Sequence, residues 1–194
     1  MKKTLRVGVA VICMVAIVVG YYYYLSHKNA SIKVDENVEL SEVQTIIDKD
    51  FDNDYPVTPR SVVKWYNRII TAYYGEDYSD EEFTNLALQE RCLLDEDLLE
   101  LNPESQYLVS LTTEVQDYKN RNRRIVSSSV SDSSDIEYRT VNGYECAYVS
   151  AYYFIREGSS YDRTYEDFCL RKDSEGKWKI LTWQLSEEDD TDGY

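Results

Sequence analysis

The fold can be predicted most directly from the segment Thr140–Glu157, TVNGYECAYVSAYYFIRE. Asn142–Gly143 lies between two alternating runs, and this dipeptide is typical of the two-residue type I′ turn of a β-hairpin. The run that follows, Tyr144 to Arg156, carries apolar residues at both odd and even positions. That pattern predicts a strand covered on both faces and therefore central in its sheet.

Further strands are predicted on both sides of this segment. Arg163 to Lys172 and Lys177 to Leu185 form a second predicted hairpin, joined across the turn Asp173–Gly176. Toward the N-terminus, a period of two with serine, β-branched and aromatic residues begins at Ile125. We therefore expect an antiparallel sheet of four to five strands.

Three helices are predicted before the sheet, each from a capping signal. Thr58–Pro59 and Asn102–Pro103 supply an N-cap followed by a proline, and Ser79 with Glu82 forms a capping box. Gly75 ends the first helix. Helices followed by antiparallel strands predict an α+β fold with the helices on one face of a curved sheet. The apolar face of the first predicted helix consists of Val62, Trp65, Tyr66, Ile69, Ile70 and Tyr73. That of the second consists of Phe83, Leu86, Ala87 and Leu94, and that of the third of Tyr107, Leu108, Leu111, Val115 and Tyr118.

The N-terminal segment predicts a membrane anchor. Val7 to Ser26 is uncharged and mostly apolar, and a helix of that length spans a bilayer core. Lys2, Lys3 and Arg6 precede the segment and Tyr21 to Tyr24 end it, so residues 1–6 are expected in the cytoplasm and the rest outside. We expect residues 27–54 to form a stalk, 55–186 an exported domain and 187–194 an acidic tail.

Two other interpretations of this segment are less consistent with its residues. A cleaved signal peptide needs small residues at its cleavage site, whereas this run ends in four tyrosines. A lipoprotein would be modified at Cys13, but the bulky Val11 and Ile12 precede it. Either interpretation also predicts that the remaining chain is exported.

Composition excludes several classes of function. The chain has 36 acidic and 21 basic residues, a net charge of −15 that repels nucleic acids and anionic surfaces. Its 19 tyrosines suit a half-buried sheet surface or groove. The only histidine, His27, lies outside the expected domain, which excludes histidine catalysis there. The run Asp48 to Asp54 resembles the start of a calcium loop, but Pro59 stands where the bidentate glutamate is needed. No metal, cofactor or catalytic residue is therefore assigned.

Two groups of residues remain as candidate sites. Cys146 and Cys169 lie on neighbouring predicted strands and are the plausible disulfide pair, with buried free thiols as the alternative. The basic run is expected either to complement the C-terminal end of the third helix or to contact an anionic partner, for example an acidic patch on a neighbouring subunit. It consists of Lys119, Arg121, Arg123 and Arg124.

The predicted architecture resembles a known one. Three helices with a sheet that closes in the hairpin Phe168–Leu185, FCLRKDSEGKWKILTWQL, resemble the nuclear transport factor 2-like (cystatin-like) cone. The segment Glu39–Ile70, which contains Tyr55–Arg60 (YPVTPR), is similar to an uncharacterised family of single-pass membrane proteins of Gram-positive anaerobes, a domain of unknown function. That family implies an exported domain and no assigned catalytic residues.

We expect a non-catalytic, membrane-anchored module that binds a protein partner or small ligand, or that assembles with itself. One alternative is an oligomerising subunit of a cell-envelope apparatus of the conjugation or sporulation type. A weaker one is a small lyase or isomerase with an Asp–Tyr pair, since neither a G-x-S-x-G nor a Walker pattern is present. A pocket in which a buried carboxylate faces a tyrosine hydroxyl would favour the third interpretation.

Overall fold

The computed structural model describes residues 40–186. The predicted cytoplasmic stub, transmembrane helix and acidic tail, and the first part of the predicted stalk, lie outside these residues. Within residues 40–186, no helix is both long enough and apolar enough to cross a membrane.

Five helices are found in the described part of the chain, and their bounds follow local capping chemistry. They are α1 (Glu42–Ile47), α2 (Pro59–Gly75), α3 (Asp80–Arg91), α4 (Glu96–Leu101) and α5 (Glu104–Asn120). The capping boxes of Thr58 before α2 and Ser79 before α3 are both formed, and α2 ends at Gly75 as predicted. The three predicted helices therefore correspond to α2, α3 and α5.

The start of α5 differs from the prediction by one residue. Asn102 does not cap α5; it ends α4, where its side-chain Nδ2 donates to the carbonyl of Leu98 at 2.9 Å. Pro103 takes the N-cap position of α5 without a side-chain cap. The unpredicted α4 has only six residues and none of them is buried, so it carries little apolar periodicity.

Five antiparallel strands form one sheet in the order β1-β3-β4-β5, with β2 also paired to β3. They are β1 (Arg123–Val130), β2 (Glu137–Val141), β3 (Tyr144–Glu157), β4 (Ser160–Lys172) and β5 (Trp178–Ser186). One edge of β3 pairs with β2 along its first half and β1 along its second, while the other edge pairs with β4. This confirms the α+β class and the central position of β3.

The predicted β2–β3 turn is confirmed by its backbone. Asn142 and Gly143 both have positive φ, 54° and 87°, as a type I′ turn requires. The pair Val141 and Tyr144 closes the ladder directly beside them.

The packed fold begins earlier than the expected boundary at residue 55. Val43 and Ile46 of α1 and the following Phe51 are at most 5% exposed, so this part of the predicted stalk belongs to the core. Gln89 of α3 donates its side-chain Nε2 to the carbonyls of Ile47 and Lys49, at 2.7 and 3.0 Å. Three buried apolar residues and the two hydrogen bonds from Gln89 therefore hold this short segment against the rest of the fold.

The helices cover one face of the sheet. On β3, the inward positions alternate along the strand and all are buried, with small alanines among larger residues: Ala147, Val149, Ala151, Tyr153 and Ile155. The segment after α3 is joined to β5, since Asp95 N donates to Ile180 O at 2.8 Å and Ile180 N donates to Leu93 O at 2.9 Å.

Candidate functional site

A cavity of about 540 Å³ lies between the helices and the inner face of the sheet. Ligand cavities in proteins typically measure about 300–1,000 Å³ and have mostly apolar walls with a few polar groups. Most of the wall here is aromatic or aliphatic, with residues from α2, α3, α4, α5 and four strands. The aromatic side chains are Tyr66, Tyr74, Tyr107, Tyr118, Tyr153 and Trp183.

Helix α5 forms one side of the cavity. Only Leu111 and Val115 of its seventeen residues are buried. Its cavity-lining residues recur at helical spacing, as one face of a helix does: Tyr107, Ser110, Leu111, Glu114 and Tyr118. Ser110 and Glu114 are exposed, as is Leu185 of β5 on the other side, so the mouth lies between α5 and β5.

Glu90 is the buried carboxylate of the cavity. It lies near the end of α3, is 3% exposed, and accepts a hydrogen bond of 2.9 Å from the hydroxyl of Tyr73. Burial raises the pKa of Glu90 to about 7, since desolvation outweighs the effect of the Tyr107 and Tyr73 hydroxyls, which lower it. The site therefore holds a carboxyl group that changes its charge near neutral pH.

Two more carboxylates line the same cavity. Burial also raises the pKa of Glu166, on the inner face of β4, and the nearby Tyr153 hydroxyl partly offsets this rise. Glu114 accepts a hydrogen bond of 2.6 Å from the hydroxyl of Tyr74. The charge of Glu114 raises the pKa of both Glu90 and Glu166, so Glu114 lies close enough to repel each of them.

Three buried polar atoms of the cavity make no hydrogen bond within residues 40–186: Tyr107 Oη, Arg123 Nε and Glu166 Oε2. The Tyr107 hydroxyl lies close enough to Glu90 to lower its pKa. Buried polar groups in proteins are almost always paired, with water or a ligand where no protein group serves. These atoms therefore mark positions where a bound molecule could donate or accept.

The cavity tyrosines are hydrogen-bond donors over the whole physiological range. Burial raises the pKa of Tyr74, Tyr107 and Tyr153 above that of a free phenol, and neighbouring carboxylates raise it further. The Tyr153 hydroxyl donates to Asn67 Oδ1 at 2.7 Å. A carboxylate and tyrosine hydroxyls thus face the same space, which is the arrangement needed for binding and, with a suitable substrate, for proton transfer.

The predicted basic run lies where α5 ends and β1 begins, and most of it has partners within the chain. Lys119 lies 4.1 Å from the ring centroid of Tyr78, and Arg121 pairs with Glu157 at 3.0 Å. Arg123 lines the cavity, whereas Arg124 is exposed. Contact with an anionic partner remains a prediction.

The two cysteines of the predicted disulfide lie on adjacent strands, as expected. Cys146 pairs with Arg171 and Cys169 with Tyr148, so the cysteines are diagonal neighbours on one face. Both are free thiols in the structure. Diagonal Cα atoms typically lie about 7–8 Å apart, beyond the usual disulfide range, so a bond would require the strands to shift. The disulfide remains a prediction.

A second charged cluster has a structural role. Asp95, the N-cap of α4, is 2% exposed and accepts from Arg171 Nε at 2.9 Å, and Arg171 also reaches Asp97 at 2.8 Å. No group of three acidic, histidine or cysteine side chains within residues 40–186 is arranged to hold a metal ion.

The sequence prediction missed Glu90 and Glu166, although both interrupt apolar patterns. Glu90 falls on the face of α3 that carries Phe83 and Leu86. Glu166 is an inward position of β4, two residues before the buried Phe168. A carboxylate inside an apolar pattern is the signal that could have identified the cavity.

Comparison with known proteins supports one part of the expected resemblance, the uncharacterised family. No curated protein matches the chain in sequence. One family model matches residues 1–183, which is nearly the whole chain. The chain belongs to the family described as Domain of unknown function (DUF6715).

Proposed function

We propose that this protein is a membrane-anchored binding module whose exported domain holds a small organic ligand in the cavity between α5 and the sheet. The observation that carries the proposal is the combination of an aromatic-walled space of about 540 Å³ with three buried polar atoms that make no hydrogen bond within residues 40–186. A cavity that served only packing would be expected to be small and wholly apolar.

The location of the ligand outside the cytoplasm follows from the anchor predicted for residues 7–26. The arginine and lysines before that segment and the tyrosines at its C-terminal end support the orientation. Protease added to intact cells should remove the domain, and alkaline washing should leave the chain in the membrane. A chain released by the wash would contradict the anchor.

Helices that cover one face of a sheet, with a cavity between, agree with the resemblance to the nuclear transport factor 2-like cone. The same geometry keeps the lyase or isomerase interpretation open, because the buried Glu90 accepts from one tyrosine hydroxyl and lies near a second. We propose binding as the function, since binding needs only the cavity and its unpaired atoms.

Three matched probes test binding: 2-phenylethanol, 2-phenylethylammonium and 3-phenylpropanoate, which share an aromatic body and differ in charge. Each is titrated calorimetrically into the full-length protein in phosphatidylcholine nanodiscs, with empty nanodiscs as the blank. We expect saturable binding of at least one probe.

Ser110→Trp provides the test of location, because Ser110 is exposed at the cavity mouth. Ser105→Trp is the matched control, since Ser105 is exposed on the same helix and does not line the cavity. We expect binding to weaken at least about tenfold, or about 1.4 kcal/mol, in Ser110→Trp only. Failure of all three probes, or equal binding by both variants, would overturn the proposal.

A further inference from the structure

We propose that the ligand is a small organic cation, an ammonium group on an apolar or aromatic body, held between Glu166 and Glu90 and surrounded by tyrosine rings. This inference rests on the proposed function, because it names the class of ligand for that same cavity.

The wall of the cavity carries more acidic than basic side chains. Glu90, Glu114 and Glu166 line the cavity, and none of them takes part in an ion pair within residues 40–186. Among residues 40–186, Arg123 is the single basic side chain in the wall. Its Nε makes no hydrogen bond there but lies 3.9 Å from Glu157 Oε2, so its charge is paired with a carboxylate outside this set. The cavity therefore has more negative than positive charge.

The aromatic wall of the cavity can also attract a cation. The faces of tyrosine and tryptophan rings attract cations within about 6 Å of their centroids. Two rings of this cavity already do so: Arg123 lies 4.7 Å from the centroid of Tyr118, and Arg91 lies 5.3 Å from that of Tyr107. Tyr66 and Trp183, 5.6 Å apart, line the cavity without such a cation within residues 40–186. They can receive the cation of a ligand.

A buried acceptor without a donor within residues 40–186 also favours a cationic ligand. Glu166 Oε2 is buried and lacks a donor, and an ammonium group carries up to three N–H donors. A neutral alcohol could donate to the same oxygen but would leave the mutual repulsion of the carboxylates in place. A ligand carboxylate would add to that repulsion. A cation satisfies the oxygen and offsets the repulsion together.

The inference has a consequence for pH, set by the groups that face Glu90. These are the hydroxyls of Tyr66, Tyr73 and Tyr74 on α2 and of Tyr107 on α5, the carboxylate of Glu114 on α5, and the guanidinium of Arg91 on α3. Since burial raises the pKa of Glu90 to about 7, the empty cavity gains a negative charge as the pH rises through that value. Affinity for a cation should increase over the same range.

The probe set described above separates this inference from the proposed function. At pH 8, we expect 2-phenylethylammonium to bind at least about tenfold more tightly than 2-phenylethanol, and 3-phenylpropanoate to bind most weakly. Glu166→Gln should bring the ammonium and the alcohol to similar affinity. Glu81→Gln is the control, because Glu81 is exposed on α3 and does not line the cavity.

The pH profile is a second readout that a merely structural role would not move. We expect the affinity for 2-phenylethylammonium to rise several-fold from pH 6 to pH 8 in the wild type and to stay flat in Glu90→Gln. Equal affinities for the ammonium and the alcohol, or a preference for 3-phenylpropanoate, would overturn the inference while leaving the cavity as a binding site. Absence of binding by every probe would overturn the proposed function as well.

Discussion

Replacing Glu90 by glutamine should stabilise the protein at alkaline pH. Glu90 is 3% exposed, and burial raises the pKa of its carboxyl group from 4.5 to about 7. Each pKa unit is worth about 1.4 kcal/mol, so the folded state pays about 3 kcal/mol for the ionised group at high pH. Glutamine removes this charge and can still accept the hydrogen bond from Tyr73.

The sign follows from proton linkage. Between pH 4.5 and about 7 the folded state holds a proton on Glu90 that the unfolded state has released, so this group lowers the free energy of unfolding as the pH rises. Below pH 4.5 both states hold the proton and the group contributes nothing. Above pH 7 the loss is complete.

The assay is urea denaturation of the full-length wild type and Glu90→Gln in nanodiscs, at pH 4.5 and pH 8. We expect Glu90→Gln to raise the free energy of unfolding by about 3 kcal/mol at pH 8 and to change it little at pH 4.5. Glu81→Gln, on the same helix but exposed, should stay within about 0.5 kcal/mol at both values. An equal effect of Glu90→Gln at pH 4.5 and pH 8, or a loss of stability at pH 8, would show that the buried charge of Glu90 does not destabilise the folded state.

Three further predictions concern the framework around the cavity. Arg171→Met should cost about 3–5 kcal/mol of unfolding free energy because it leaves the buried Asp95 unpaired, whereas Arg139→Met, in an exposed pair, should cost at most about 0.5 kcal/mol. Thr58→Ala should cost about 1 kcal/mol in urea denaturation, because it removes the N-cap of α2; no loss would show that the capping box contributes nothing. Backbone amides of α5 should exchange hydrogen faster than those of α2, since two residues of α5 but eight of α2 are buried. Addition of 2-phenylethylammonium should slow the exchange of the α5 amides. Unchanged exchange would contradict the position of α5 over the ligand.

Elements with local chemical signals could be predicted from the sequence. The Asn142–Gly143 turn needs positive φ at both residues, a requirement that few other dipeptides meet. The capping box of Ser79 and Glu82 is likewise complete within four residues. Because these signals act between near neighbours, they specified α3 and the β2–β3 hairpin without any knowledge of the tertiary fold.

Elements that depend on distant contacts could not be predicted in the same way. Helix α4 has no buried residue. The segment before it is held by two backbone hydrogen bonds with Ile180, more than eighty residues away: Asp95 N donates to the Ile180 carbonyl, and the Leu93 carbonyl accepts from Ile180 N. The docking of α1 similarly depends on Gln89 of α3. Neither contact leaves a periodic pattern in the sequence.

The cavity falls between these cases. The identity of its carboxylates is written in the sequence as two glutamates inside apolar patterns, Glu90 on α3 and Glu166 on β4. That both line one cavity depends on the tertiary packing of α3 and β4, which are far apart in the sequence. The sequence therefore indicated a tyrosine-rich groove but not the acidic groups within it.

A crystal structure of the protein soaked with 2-phenylethylammonium would show both the class of the ligand and its position. We predict the probe between α5 and the sheet, with its nitrogen about 2.7–2.9 Å from an oxygen of Glu166 or Glu90 and its ring against the tyrosines. A cavity that holds only ordered water at saturating probe, or a probe whose nitrogen points away from both carboxylates, would contradict the account.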